Sequence, residues 1–135
     1  MRVLIVEDEI LVAMELEETL TEHGFEVVGI APDSATALRL ASTEIDVALV
    51  DINLRDGETG IELGERLANE ADVAVVFVTA NAGLMEAGVP GAVGVLPKPA
   101  SRQAVAGAVS YAAMRRLAPH SPALPAPPRS MRLFA

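Results

Sequence analysis

The sequence contains no cysteine, a single lysine and no long apolar run. Without cysteine the chain can form neither a disulfide nor a thiolate zinc site, so its redox compartment is not indicated. Its 135 residues, 51% of them apolar, are enough to bury the core of one domain. No apolar run approaches the roughly 20 residues of a membrane span, and no signal-peptide core follows Met1. We therefore expect a soluble, cytoplasmic protein without a membrane partner.

Basic side chains are also scarce, since 10 of them stand against 19 acidic ones and give a net charge of −9. This balance argues against binding to a phosphate backbone, so nucleic acid is not an expected partner. All the acids lie in residues 1–86, whereas residues 87–135 carry basic side chains only. The basic part is a candidate partner surface, although a solvated basic helix and tail is the simpler alternative. Its arginines are Arg102, Arg115, Arg116, Arg129 and Arg132.

Proline is concentrated at the C-terminus, where five of the nine prolines follow Ala118. Proline neither propagates a helix nor donates a ladder hydrogen bond. We therefore predict a folded domain over residues 1–118 and a proline-rich tail over residues 119–135, which is too short for an output domain. The tail is expected to be either disordered or docked through Met131, Leu133 and Phe134.

Strands and helices alternate in the predicted structure. Valine-rich runs that are apolar at successive positions indicate strands covered on both faces, as in a parallel sheet, at residues 3–6, 27–31, 47–50, 73–78 and 92–96. Helical spacing of apolar residues predicts helices at residues 9–23, 34–41, around 61–67 and from Ser101 onward. Glycines and a proline within residues 80–91 allow at most a brief or irregular helix there. This alternation predicts an α/β doubly wound domain with strand order 2-1-3-4-5.

Acidic residues stand where predicted strands end. Glu7 and Asp8 follow the first strand, and Asp51 follows the third. In this strand order the first and third strands flank the switch point, so the three carboxylates should converge there. Converging carboxylates need a cation, and hard oxygen ligands suit Mg²⁺. The alternative is that each acid caps a helix, as Asp8 would for the helix that starts at residue 9.

Lys98 and Thr79 complete the predicted set of strand-end residues. Lys98, the only lysine, lies between two prolines after the fifth strand, and its ammonium can pair with a carboxylate and then with a phosphoryl oxygen. A cis Lys98–Pro99 bond is one way to turn this side chain toward the strand ends. Thr79 ends the fourth strand with a hydroxyl that can donate to an anion, although a β-branched residue at a strand end needs no such role.

These residues resemble the receiver domain of bacterial two-component response regulators over residues 1–117. The resemblance rests on four motifs in the family's order, at residues 3–9, 50–54, 78–80 and 97–99. It implies a flavodoxin-like fold with five parallel strands. It also implies that Asp51 is the phosphoacceptor and that Thr79 and Lys98 contact the phosphoryl group. The implied Mg²⁺ ligands are Glu7, Asp8, Asp51 and the backbone carbonyl of Asn53.

The resemblance implies a single-domain response regulator in two-component signalling. Its phosphoryl donor would be a sensor histidine kinase, and its output would be contact with a downstream protein or a second copy of the chain, or service as a phosphate sink. Such a protein catalyses its own phosphorylation and slow dephosphorylation without being a conventional enzyme. Three features depart from the family's usual pattern: Val95 replaces an aromatic residue, residues 80–91 replace a regular fourth helix, and Glu7 replaces an aspartate. The first two, with residues 56–60, resemble receivers that work with HWE histidine kinases in the general stress response of alphaproteobacteria.

Three other functions are compatible with parts of the sequence. A receiver fold could serve as an unphosphorylated interaction module. A small Mg²⁺-dependent phosphatase of the haloacid dehalogenase type also uses an aspartate nucleophile, but needs it after the first strand with a second aspartate two residues later. A flavodoxin-like cofactor binder needs a phosphate-binding loop where this chain has Glu7, Asp8 and Glu9, which would repel a phosphate.

Overall fold

Six strands form one sheet in the computed structural model, which describes residues 1–134. The strands are β1 (Arg2–Val6), β2 (Glu26–Ala31), β3 (Val47–Val50), β4 (Ala74–Thr79), β5 (Gly94–Pro97) and β6 (Arg132–Leu133). Their order in the sheet is β2-β1-β3-β4-β5-β6. The first five strands pair in parallel, and β6 pairs antiparallel with β5. The predicted order 2-1-3-4-5 is confirmed, and β6 is an addition to it.

In the described part of the chain, four helices connect the strands: α1 (Ile10–Glu22), α2 (Ser34–Leu40), α3 (Gly60–Glu70) and α4 (Arg102–Leu117). Two of them begin at residues whose side chains cap the first turn. Asp33 accepts a hydrogen bond from the Thr36 N–H at 2.8 Å, and Ser101 accepts one from the Ala104 N–H at 3.0 Å. Each cap satisfies a backbone donor of the first helical turn and so sets where the helix starts. Within residues 1–134, none of these helices is long and apolar enough to cross a bilayer.

The segment between β4 and β5 contains a single 3-10 turn at Ala82–Met85 in place of a full helix. Glycines at positions 83, 88 and 91 and Pro90 disfavour a longer helix, in agreement with the sequence-based prediction. Met85 and Val89 are nevertheless buried, at 2% and 6% exposure. The segment is therefore irregular in conformation but packed against the core.

Two apolar layers cover the two faces of the sheet. One layer packs α1 and α4 against the sheet, and the other packs α2, α3 and the segment before β5 against the opposite face. All four residues of β3 are buried, because this strand lies inside the sheet with helices on both sides. The strands thus have little room for polar groups along their length, and polar groups lie at their ends.

The C-terminal residues return to the sheet. Met131 and Phe134 are each 7% exposed, whereas Leu133 points outward at 40%. The Phe134 N–H donates to the Val93 carbonyl at 3.0 Å and extends the pairing of β6 with β5. The tail was expected to be either disordered or docked, and residues 131–134 are docked on the domain. Met131 and Phe134 make the buried contacts, and Leu133 does not.

Candidate functional site at the carboxyl edge of the sheet

Three carboxylates meet where β1 and β3 end. The two strands are neighbours with Val6 opposite Val50, so Glu7 and Asp51 emerge side by side. Oxygen atoms of Glu7, Asp8 and Asp51 all lie within 4.8 Å of one another. Glu7 and Asp51 are 2% and 8% exposed, while Asp8 is exposed to solvent. The cluster is therefore buried on one side and open on the other.

Lys98 joins the two buried carboxylates. Its Nζ lies 2.6 Å from Glu7 Oε1 and 2.9 Å from Asp51 Oδ2. The backbone holds this side chain in place, since the Lys98 N–H donates to the Thr79 carbonyl at 2.9 Å in line with the pairing of β4 and β5. The Lys98–Pro99 peptide bond is cis, which is the geometry considered from the sequence. One ammonium thus serves two carboxylates that are far apart in the chain.

Burial and charge shift the pKa values of this group in a consistent way. Burial raises the pKa of Glu7 above its ordinary value of 4.5, and the hydrogen bond and charge of Lys98 offset that rise only in part. Burial also disfavours the ammonium of Lys98, but its hydrogen bonds to Glu7 and Asp51, together with the negative charges of these two carboxylates, outweigh burial and raise the pKa of Lys98. The contacts of Lys98 therefore favour its ammonium form, whereas burial disfavours the ionised form of Glu7.

Asn53 and Thr79 are linked by hydrogen bonds to residues of this cluster or next to it. The Asn53 N–H approaches Asp51 Oδ1 at 3.3 Å, a long hydrogen bond. The predicted role of the Asn53 carbonyl stays a prediction. Thr79 is fully buried, and its hydroxyl accepts a hydrogen bond from the Asn81 N–H at 3.1 Å. Thr79 is therefore tied to Lys98 by its carbonyl and to the start of the 3-10 segment by its hydroxyl.

One residue that shapes the site, Gly60, is not among the residues predicted from the sequence. Gly60 begins α3 directly against the backbone of Asp51 and Ile52, and a Cβ at this position would overlap the Asp51 carbonyl oxygen. The Gly60 N–H also donates to the Ile52 carbonyl at 3.0 Å. Gly60 thereby holds the residues after β3 in place. No spacing rule in the sequence distinguishes it from the other glycines.

The donor set fits a hard divalent cation. Three carboxylate groups face one another, and one ammonium offsets part of their charge. Mg²⁺ prefers oxygen ligands and retains several waters, which the exposed side at Asp8 allows. The arrangement combines a carboxylate that can act as a nucleophile with cationic groups that can offset the charge of a phosphoryl group.

Comparison with known proteins identifies the class to which this fold and site belong. Residues 3–110 match the response regulator receiver domain, and the chain belongs to this family. Over 80 residues, 58% of the chain, it is 38% identical to the phyllosphere-induced regulator PhyR of Methylorubrum extorquens. The solution structure of the PhyR receiver domain of Erythrobacter litoralis superposes with a TM-score of 0.77 at 31% identity, covering 89% of this chain and 95% of that one. The structure of a PhyR stress response regulator gives a TM-score of 0.70 at 29% identity, covering 89% of this chain and 46% of that one.

The chain spans only part of the relatives that it matches. It covers 30%, 36% and 38% of the first three curated relatives. The shared region is the receiver domain, so the similarity concerns this domain rather than the activities of the whole relatives.

Proposed function

We propose that this protein is a response regulator that accepts a phosphoryl group on Asp51 from a sensor histidine kinase. The observation that carries the proposal is the pairing of Lys98 with Asp51 and Glu7 inside a cluster of three carboxylates. A purely structural ion pair needs only one carboxylate for one ammonium, whereas this site has three carboxylates and one ammonium. The excess negative charge is explained if a divalent cation binds the carboxylates and assists the transfer of a phosphoryl group.

The chemistry requires little beyond positioning. An oxygen of the Asp51 carboxylate forms a bond to phosphorus as the P–N bond to the donor histidine breaks, and the imidazole leaves with the electron pair of that bond and takes up a proton. The product is an acyl phosphate. Lys98 Nζ lies within hydrogen-bonding distance of the attacking carboxylate and can donate to an oxygen of the bound phosphoryl group. The Thr79 hydroxyl accepts a hydrogen bond from the Asn81 N–H and can donate its own hydrogen to a second phosphoryl oxygen.

Mg²⁺ is the cofactor that we propose for this site. Its ligands would be Glu7, Asp8, Asp51 and the backbone carbonyl of Asn53. When bound, Mg²⁺ offsets the negative charge of the carboxylates and of the phosphoryl group.

The partners follow from the family and from the named relatives. A histidine kinase, of the HWE type, is the proposed donor, and the similarity to a PhyR stress response regulator supports a role in the general stress response. The protein would work in the cytoplasm and act either by contact with a downstream protein or a second copy, or by draining phosphoryl groups from the kinase. Autodephosphorylation would be its only turnover.

Incubation with acetyl phosphate and Mg²⁺, followed by mass spectrometry of the intact protein, tests the proposal. We expect one added phosphoryl group, which is absent from Asp51→Ala and absent when EDTA replaces Mg²⁺. Asp46→Ala is the matched control, because Asp46 precedes β3 as Asp51 follows it. The control should be modified as the unaltered protein is. Absence of the adduct from the unaltered protein would contradict the proposal and favour an unphosphorylated interaction module.

A further inference from the structure

The outer edge of β5 holds the C-terminal strap, defined here as residues 128–134. Its pairing places Gly94 opposite Leu133 and Val95 opposite Arg132. Met131 packs into one apolar layer of the domain and Phe134 into the other, so the strap is held on both faces of the sheet. The Phe134 ring lies 6.4 Å from the Phe77 ring, centroid to centroid.

Two glycines of the domain make room for the strap. Pro128 lies 3.2 Å from where a Cβ of Gly107 would be, which is a tight contact, and a Cβ at Gly94 would overlap the carbonyl oxygen of Arg132. Side chains at these two positions would crowd or exclude the strap. At Gly88, the ring of Phe134 lies 3.4 Å from where a Cβ would be, which is ordinary van der Waals contact.

Arg132 connects the strap to the segment that follows Thr79. Its guanidinium donates to the Ala82 carbonyl at 3.2 Å and, at the longer distance of 3.4 Å, to the Glu86 carbonyl. It also lies 5.6 Å from the centre of the Phe134 ring, within the range of a cation–π contact. Thr79 accepts from Asn81, one residue before Ala82. A rearrangement of Thr79 would therefore act on the carbonyls that bind Arg132.

We propose that the edge of β5 is a peptide-binding groove whose resident ligand is the chain's own C-terminal strap, and that release of the strap is coupled to the site at Asp51 through residues 79–86. A strand added to a sheet edge gains main-chain hydrogen bonds, and its alternate side chains supply the specificity. Here Arg132 and Phe134 are those side chains, and Leu133 between them faces solvent. A partner strand that uses this edge must first displace the strap. The coupling rests on the proposed function, but the groove does not.

The groove is tested with a fluorescent peptide of the sequence of residues 128–134, titrated into full-length protein. Arg132→Ala/Phe134→Ala should loosen the chain's own strap and bind the peptide at least tenfold more tightly than the unaltered protein does. Adding Gly94→Ala to this double variant should abolish the binding, since the new methyl group obstructs the groove itself. Leu133→Ala is the matched control and should behave as the unaltered protein. Equal binding by the unaltered protein and a folded double variant, or binding that survives Gly94→Ala, would overturn the groove.

Hydrogen exchange of the Phe134 amide, followed by NMR, gives a second measurement that does not depend on the double variant. In the unaltered protein this amide should be protected, and Gly94→Ala should raise its exchange rate at least tenfold. An unprotected amide in the unaltered protein would overturn the docking of the strap.

The coupling is tested by adding Mg²⁺ and beryllium fluoride, which mimics a phosphoryl group on a carboxylate. Exchange of the Phe134 amide should rise at least tenfold in the unaltered protein and stay constant in Asp51→Ala. An unchanged rate in a protein that acetyl phosphate does modify would overturn the coupling. If acetyl phosphate adds no phosphoryl group, the proposed function and the coupling both fail, and the peptide titration still decides the groove.

Discussion

Asp46 and Asp51 lie at opposite ends of β3, and they differ in how fully their charge is met. Each Asp46 oxygen has its own donor, the Arg2 N–H at 2.8 Å and the Arg116 guanidinium at 3.1 Å. Asp51 also has a donor at each oxygen, Lys98 Nζ at 2.9 Å and the Asn53 N–H at the long distance of 3.3 Å, but it shares that ammonium with Glu7 and faces the carboxylate of Asp8. The amino end of the strand is thus balanced and joins α4 to the sheet, whereas the carboxyl end retains negative charge. Negative charge that the neighbouring cationic groups do not balance therefore sets the proposed site at the carboxyl end apart from the ion pairs at the amino end.

The largest difference in stability between the two ends of β3 should appear when the cationic side chain at each end is replaced. Lys98→Met leaves the carboxylates of Glu7 and Asp51 buried without their partner, and we expect a loss of about 3 kcal/mol in the free energy of unfolding. Urea denaturation at pH 7.5 with EDTA measures it. Lys98→Arg, which keeps a cation, should lose less. Equal stability of Lys98→Met and the unaltered protein would show that the carboxyl end is not held by this ammonium.

At the amino end, removal of the cation should cost less. In Arg116→Ala, Asp46 keeps the Arg2 N–H and is 27% exposed, so water can replace part of the lost contact. We expect a loss of about 1 kcal/mol by urea denaturation, since partly exposed ion pairs are weak. Modification by acetyl phosphate should be unchanged. Arg115→Ala, at the neighbouring position on α4, is the control for helix effects. An Arg116→Ala variant that is as unstable as Lys98→Met would remove the contrast between the two ends.

Removal of a carboxylate should change stability and metal affinity at the carboxyl end of β3 and have little effect at the amino end. Asp8→Asn relieves repulsion with Glu7 and Asp51, so without metal it should gain stability, by about 1 kcal/mol at most for charges near water. Its affinity for Mg²⁺, measured by calorimetry, should fall at least tenfold. Asp72→Asn, at the amino end near Arg116, should leave both quantities nearly unchanged, because the Asp72 side chain is 96% exposed. A loss of stability in Asp8→Asn would contradict the idea of surplus charge.

The smallest expected effect is a pH dependence that arises at the carboxyl end. Burial raises the pKa of Glu7 in the folded state above its ordinary value of 4.5. The folded protein therefore binds the proton of Glu7 more tightly than the unfolded chain does. The contribution of Glu7 is therefore most favourable below pH 4.5 and is lost as the pH rises through the raised value. Relative to Glu7→Gln, the unaltered protein should lose stability over that window in EDTA. A relative gain would show that Lys98 outweighs burial.

Lys98 gives the complementary result at high pH. Its pKa is raised in the folded state, so the stability that it contributes is present below its ordinary pKa of 10.5 and is lost as the pH rises through the raised value. Lys98→Met should lack this loss. Urea denaturation of the two proteins above pH 10 therefore distinguishes the loss of stability caused by deprotonation of Lys98 from losses caused by other groups that titrate at high pH.

Much of this architecture was predictable because its elements are locally determined. The apolar run at Val47–Val50 and the caps at Asp33 and Ser101 can be recognised without knowledge of distant contacts. The sixth strand could not be predicted, because β6 has only two residues and its pairing depends on the free edge of β5. The charge pattern also did not show which arginines of residues 87–135 are already engaged within the domain. Arg102, Arg116 and Arg132 all contact groups within the domain, and these contacts are not visible in a charge pattern.

The positions of Glu7, Asp51, Thr79 and Lys98 at strand ends could be read from the sequence, and parallel strands align their carboxyl ends along one edge of a sheet. That one ammonium bonds to both Glu7 and Asp51, and that the strap covers the edge of β5, is visible only in the folded structure. These contacts join residues that are far apart in the chain. Strand and helix patterns depend on neighbouring residues, whereas Lys98 meets Glu7 across 91 positions, and such a contact exists only when the packed core holds both backbones in place.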